Sequence, residues 1–446
     1  MINYRRSPLL YDYLTVIFFG VVFFMGALGE GGLRNDDINY AAIAKTVLSS
    51  DNFMILHRGP ELYLSKPPMF FWLTSLSINT FGATVFGAKF ASALAAVILL
   101  VFVFRLASDA FGNVNAGYGA VIFFAFNYII YKTSHGCRLE SMLTLGVTAA
   151  IFYFGRYADK KNLLYILAAA LFCGFSVMVK GYLGVMTFFI CLICLFFMKK
   201  QHENSLYYHM LAAFGLFVIS FMWWYGYAFT HTAFFDRFIT HEAMMRINSD
   251  ETLWKSVPIY KYTTDLLKFS VIMLPFLFIG FRNNIREIKN SKALIMFSVL
   301  TVIYFILIHF LTTKYSRYLY PVIVYLSIVA GMGLASVVRV NMRSVVLGIS
   351  IVMACVFAVF PGSYGDINYR ALSGLEKTAA LNGGKLCTDK KFMRKWDDRS
   401  GLYYFTDSFK TEKCSPEDIV IQRRDTDCPT GLRTLVKNSR ITACMQ

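Results

Sequence analysis

The chain has 446 residues, of which 57% are hydrophobic, 17% aromatic and only 16% charged, and its mean hydropathy is +0.51. This excludes an ordinary water-soluble globule and a disordered chain. The formal charge of +17 does not mark a nucleic-acid binder, because the basic residues flank apolar runs in short loops and no DNA- or RNA-binding motif accompanies them.

An apolar run of about 20 residues crosses a hydrocarbon core of ~30 Å. Such runs lie near 10–29, 86–108, 114–132, 140–156, 162–179, 182–198, 208–228, 262–281, 293–311, 318–338 and 344–361. They predict an all-α polytopic membrane protein with about eleven transmembrane helices. The first run is longer than a signal-peptide core and lacks a small-residue cleavage site before Glu30, so it reads as a retained span. With Arg5 and Arg6 on the cytoplasmic side, Arg105, Arg156, Lys160, Lys199, Lys200, Arg282, Arg286, Arg339 and Arg343 fall on that side too. Residues 30–85, 229–261 and the tail after Pro361 then lie outside.

In the first outer segment, Asn35-Asp36-Asp37 precedes Ile38, Ala41, Ala44, Val47 and Leu48, a spacing that predicts an amphipathic helix lying against the membrane. Asn35 is a competent cap, so Asp36 and Asp37 exceed what the helix start needs, although capping stays open as their alternative role. Lys66-Pro67-Pro68 then opens an apolar stretch from Met69 that is too short to span. Lys66 is placed to hold a fixed ammonium at headgroup level, with snorkelling as the alternative. Arg138, Glu140, Lys180, His241, Glu242, Lys314 and Arg317 are assigned to the same outer side. Ionisable residues beside membrane spans usually line a cavity or pathway. This set suits sugar transfer from a polyprenyl phosphate: cations stabilise the departing phosphate, and a carboxylate orients or deprotonates an acceptor hydroxyl. Spacing alone leaves their convergence open.

The tail changes character. Gly383-Gly384, strands expected at Gly401–Phe405 and Asp418–Gln422, and Cys387, Cys414, Cys428 and Cys444 predict a small soluble α/β domain over 362–446, following a membrane domain over 1–361. Four cysteines suggest two disulfides, with all three connectivities open. Cys137, Cys173, Cys191, Cys194 and Cys355 lie in or beside spans and read as apolar filler.

Residues 34–95 carry Arg34-Asn35-Asp36-Asp37-Ile38-Asn39-Tyr40-Ala41-Ala42-Ile43-Ala44, then Tyr63-Leu64-Ser65-Lys66-Pro67-Pro68, Trp72 and Phe81-Gly82. With Lys180-Gly181 and Lys314-Tyr315-Ser316-Arg317-Tyr318-Leu319-Tyr320-Pro321, these motifs resemble the bacterial protein-mannosyltransferase-like family, which includes the aminoarabinose transferases of lipid A. The resemblance covers roughly residues 10–340. It implies a GT-C bundle with interfacial helices in the first outer loop, an active site carried by residues 30–85, and an outer C-terminal domain. It places Asp36 at the catalytic aspartate, with Asp37 and Glu140 as further catalytic carboxylates. Lys66, Arg138, Lys180, Lys314, Arg317 and Tyr318 become candidates for holding the lipid phosphate and sugar. Asp37 stands where the family usually has glutamate, Glu140 where it has a second aspartate, and Ser65 where an acidic residue often precedes the lysine.

The resulting expectation is an inverting glycosyltransferase of the bacterial inner membrane. It moves a sugar from an undecaprenyl phosphate carrier to an envelope acceptor, lipid A or lipopolysaccharide first, with its site and tail periplasmic. Membrane lipids are partners and nucleic acid is not. A divalent cation stays open, since the acidic pair, His241 and Glu242 offer ligands but no metal-ligand spacing. The alternatives are a protein O-glycosyltransferase of the same fold, a noncatalytic scaffold, and a transporter or flippase of lipid-linked glycans, which would show internal repeats and broken helices with midplane polar groups, whereas the sequence shows no convincing repeat and gathers its polar candidates at one interface.

Overall fold

The computed structural model describes residues 8–29, 32–33, 35–198, 205–233, 257–311, 313–359, 370–381, 384–388, 396–407, 409–411, 414–415, 417–423, 433–437 and 441–445. Each of the expected apolar runs is largely helical over its described part. The bundle comprises α1 (Leu10–Met25), α4 (Val85–Phe111), α5 (Val114–Ala125), α6 (Tyr128–Ser134), α7 (Glu140–Lys160), α8 (Leu163–Lys180), α9 (Tyr182–Met198) and α10 (Ser205–His231). It continues with α11 (Lys261–Ser270), α12 (Leu274–Asn290), α13 (Lys292–His309), a 3-10 turn (Ser316–Leu319), α14 (Tyr320–Val337) and α15 (Met342–Val359). Polar residues set the boundaries: Thr84, Asn113, Asn127, Asn162 and Ser291 each accept a backbone N–H at the start of a helix. Large apolar side chains such as Leu164, Phe197, Leu211, Ile272 and Phe278 remain exposed around the bundle, as lipid-facing positions require.

Two expected spans are not straight. Run 114–132 is the pair α5 and α6, bent by 69°, and run 262–281 is the pair α11 and α12, bent by 92°. By length and apolar composition, five described helices can cross a membrane, or seven if each bent pair is one span; α1, α9 and α15 are apolar but shorter. The two breaks face each other. Asn127 accepts from Ile129 N at the start of α6 and donates Nδ2 to Phe269 O at the end of α11, at 3.0 Å each. Backbone freed inside a membrane bundle is tolerated when neighbours satisfy it in this way.

The first outer segment forms α2 (Asp36–Ser49), a short hairpin of β1 (His57–Arg58) and β2 (Glu61–Leu62), and α3 (Met69–Phe81). The expected amphipathic stripe on α2 does not describe it well. Ala42 and Ile43, off that stripe, are buried along with Ile38, Tyr40, Ala41 and Ala44, whereas Leu48 is exposed. The reason is cover from protein: α2 packs on α3, on β1 and on a helix of the tail, so its environment is a core rather than one membrane face.

That tail helix is α17 (Trp396–Phe405), and it corrects the strand expected at Gly401–Phe405. Leu402 enters the tail's own core, while Tyr403 and Tyr404 reach the bundle, a division of contacts that a helix makes between two partners. The rest of the tail is α16 (Arg370–Leu381) and strands β3 (Leu386–Thr388), β4 (Phe409–Thr411), β5 (Ile419–Arg423), β6 (Arg433–Lys437) and β7 (Ile441–Met445). Their order is β4-β3-β5-β7-β6, with β3 parallel to β4 and β5 and the other pairs antiparallel. Cys387 is bonded to Cys414, and Cys444 is disulfide-bonded as well; Cys428 lies outside the described residues. The tail docks on the first outer segment through Lys45 Nζ, 2.9 Å from Asp407 Oδ1, and Tyr404 OH, which donates to Thr84 O at 2.6 Å.

Candidate functional site

Asn35, at φ 50°, starts α2 without a side-chain cap bond, so its expected capping role is not what the structure shows. Nor do the two following carboxylates turn back to the helix. Asp36 Oδ2 accepts from Arg138 Nη1 and from Arg317 Nη2, both at 2.7 Å, and Asp37 Oδ1 lies 2.6 Å from Arg138 Nε. Arg317 Nε is 3.3 Å from Glu140 Oε1, which also accepts from Lys180 Nζ at 3.2 Å. Asp37, Arg138, Asp36, Arg317, Glu140 and Lys180 therefore form one chain of alternating charge. Residues from the start of α2, the loop before α7, the first residue of α7, the last of α8 and the 3-10 turn meet at one end of the bundle.

Local structure fixes these groups. Ser92 Oγ on α4 accepts from Arg138 N at 3.0 Å and donates to Arg138 O at 2.7 Å, pinning the backbone that carries the guanidinium. Gly136 leaves room beside Asp37, since a Cβ there would stand 2.8 Å from Asp37 Oδ1. Tyr318 sits under Lys180, whose Nζ is 4.3 Å from the ring centre. Asp265 Oδ2 accepts from Ser316 Oγ at 2.7 Å and fastens the 3-10 turn to α11.

The three carboxylates differ in access: the side chain of Asp36 is 30% exposed, that of Asp37 15% and that of Glu140 6%. Asp36 is thus the most exposed of the three. Burial pushes the Asp37 carboxyl above its ordinary value, against the opposing pull of Arg138 and Lys89. Glu140 Oε2 is buried and has no hydrogen-bond partner among the described residues. A cavity of about 390 Å³ opens on Asp37, Lys132, His135, Arg138, Ser316 and Arg317.

Lys66 and Lys314 are both buried, and their described bonds are local: Lys66 Nζ donates to Ser65 O at 2.9 Å and Lys314 Nζ to Leu311 O at 2.8 Å. Burial lowers the Lys314 ammonium from its ordinary value. His241 and Glu242 lie outside the described residues. Among the described residues no three His, Cys, Asp or Glu side chains cluster as a metal site. Sequence reasoning missed Lys89, which is buried near the start of α4 and acts on Asp37. A lysine within an otherwise apolar span was its available signal.

A family model described as dolichyl-phosphate-mannose-protein mannosyltransferase matches residues 65–225. The undecaprenyl phosphate-alpha-4-amino-4-deoxy-L-arabinose arabinosyl transferase 2 of Proteus mirabilis is 24% identical over 268 residues, 58% of this chain and 48% of its own length. A transferase of the same description from Photorhabdus laumondii is 22% identical over 256 residues, 55% of this chain and 46% of its own. The chain thus spans about half the length of the curated relatives it matches. The crystal structure of ArnT from Cupriavidus metallidurans bound to undecaprenyl phosphate superposes with a TM-score of 0.73 at 15% identity, covering 97% of each chain. The chain is a membrane protein with the GT-C fold of that transferase, and its sequence resembles the protein-mannosyltransferase and aminoarabinose-transferase group.

Proposed function

We propose that this protein is an inverting glycosyltransferase that moves a sugar from an undecaprenyl phosphate carrier to an envelope acceptor, with lipid A as the leading acceptor. The observation that carries the reading is the alternating chain from Asp37 to Lys180. With Lys89, which acts on Asp37, it brings four cations together with three carboxylates. An anionic donor phosphate suits that excess. Arg138 and Arg317 offer it fork-shaped donors, and Lys66 and Lys314 offer point charges.

In this reading the donor phosphate enters the cavity bordered by Arg138 and Arg317, and the cations stabilise it as it leaves the sugar. Asp36, the most exposed carboxylate, faces the anomeric centre. It takes the proton of a hydroxyl acceptor, whereas a phosphate acceptor is already anionic and needs only positioning. Glu140 holds Lys180 and Arg317 in place, and Asp37 holds Arg138. A single displacement inverts the anomeric carbon. Residues 1–361 form the membrane domain, and residues 362–446 form an outer domain that covers α2. The positive-inside pattern of the short loops supports a periplasmic site and domain.

The description of the matching family supports a second acceptor, a protein hydroxyl. Mass spectrometry of lipid A and of envelope glycoproteins decides between them, using cells that make the chain, lack it, or carry Asp36→Asn at equal membrane levels. The reading expects one sugar increment on lipid A to vanish in the last two. Its survival with Asp36→Asn removes Asp36 from the chemistry, and its appearance on protein alone moves the acceptor.

A further inference from the structure

The bundle carries a second charged cavity at its other end. Helix α7 runs from Glu140 in the first site through 21 residues to Lys160. That length of α-helix covers ~30 Å, so the two ends lie at opposite membrane surfaces. At the far end, α1, α4, α7 and α8 enclose about 440 Å³ bordered by Tyr13, Phe102, Arg105, Arg156, Lys160 and Tyr165.

Its charges are organised. Asp109 Oδ2 accepts from Arg105 Nε and from Arg156 Nη2, each at 2.8 Å, and Arg105 Nη1 donates to Tyr13 OH at 2.6 Å. One carboxylate thus holds side by side two guanidiniums that would otherwise repel. Each guanidinium has five N–H donors, so both keep donors beyond these bonds. Lys160 lies 5.9 Å from the centre of the Tyr165 ring and Arg156 lies 5.1 Å from that of Phe152. Three cations outnumber Asp109, and the group stays net positive when Asp159, whose charge also reaches Asp109, is included. The arginine side chains are 23% and 25% exposed, sheltered yet reachable.

We infer that this cavity binds the phosphate headgroup of an anionic phospholipid in the leaflet opposite the transferase site. The phosphate meets Lys160 and the remaining N–H groups of Arg156 and Arg105, and the acyl chains follow Phe102 and Phe152 toward the hydrocarbon. The aromatic walls and the position at helix ends favour a lipid over a soluble anion. The inference does not depend on the proposed chemistry.

Native mass spectrometry of the full 446-residue chain in detergent tests it, with phosphatidylglycerol, phosphatidylcholine and inorganic phosphate as probes. The expected result is retention of phosphatidylglycerol roughly tenfold above phosphatidylcholine, lost in Arg156→Gln/Lys160→Gln and unchanged in Arg339→Gln. Because Arg156 also pairs with Asp109, Lys160→Gln alone is the second variant. It breaks no described ion pair and should weaken retention about threefold. Equal retention by wild type and both variants overturns the inference, as does equal binding of the two lipids. Displacement of phosphatidylglycerol by an equal concentration of inorganic phosphate makes the cavity a soluble-anion site and overturns the lipid assignment.

Discussion

Glu140 and Lys180 are almost fully buried, and a buried ion pair is costly to break from one side. Glu140→Gln leaves Lys180 charged without its carboxylate and should cost about 3–5 kcal/mol. Lys180→Met leaves Glu140 still beside Arg317 at 3.3 Å and should cost less. The double variant should melt above Glu140→Gln, and thermal melts in detergent giving the reverse order would remove the pair from the stability of the site. Asp37 supplies a pH signature. Its raised value means the folded chain binds the proton more tightly than the unfolded one, so ionising Asp37 costs stability as pH rises from the ordinary carboxylate range through the raised value. Asp37→Asn should flatten that part of the melting curve against pH, and parallel curves for the two proteins would sink this account. Asp36, Asp37, Arg138, Glu140, Lys180 and Arg317 were legible in the sequence because ionisable groups are costly beside apolar spans and these fall on one side. Lys89 and the two-bond clamp from Ser92 were not, since a single lysine or serine inside an apolar helix carries no motif and its partner is set by packing.

The helices themselves were legible because their signal is local: length and apolar content are read without knowing the neighbours. The bend at Asn127 was not, because Phe126 and Tyr128 keep the composition apolar across it while the break is satisfied by Phe269, far along the chain; the bend between α11 and α12 has a local mark in Pro275 at the start of α12. The expected strand at Gly401–Phe405 failed similarly: aromatic residues favour strands, but contacts to two cores overrode that preference. Close helix crossings are the structural counterpart of the small residues in the spans. Gly331 on α14 faces α5 so closely that a Cβ would stand 2.3 Å from Ala120 N and 2.6 Å from Ala116 O. Gly331→Val must push the two backbones apart and should cost about 1–3 kcal/mol. It should also displace the 3-10 turn carrying Arg317, which leads directly into α14. Gly348, where a Cβ would meet nothing within 4 Å, provides the control: Gly348→Val should melt like the wild type. Equal melting temperatures for the two variants would show that the α5–α14 contact can relax.

The site and the tail share one end of the molecule. Tyr404 bonds to Thr84 at the start of α4, Lys45 pairs with Asp407, and Asp36 and Asp37 open the helix that α17 covers. The other end gathers Arg105, Arg156 and Lys160, with Arg343 against Tyr11 at 4.6 Å. A chain built this way has two orientations, and basic residues beside spans favour the cytoplasmic surface. The end whose short loops hold Arg105, Arg156, Lys160, Arg282, Arg286, Arg339 and Arg343 should therefore face the cytoplasm, which carries the acidic and basic chain, α2 and the tail together to the outer face. Fusing alkaline phosphatase or green fluorescent protein to the C-terminus measures this directly, because the first is active only outside and the second fluoresces after folding inside. Phosphatase activity with a dark fluorescent fusion is expected. A bright fluorescent fusion inverts the molecule, places Asp36 on the cytoplasmic surface, and removes the physical basis for a donor and acceptor met in the periplasm.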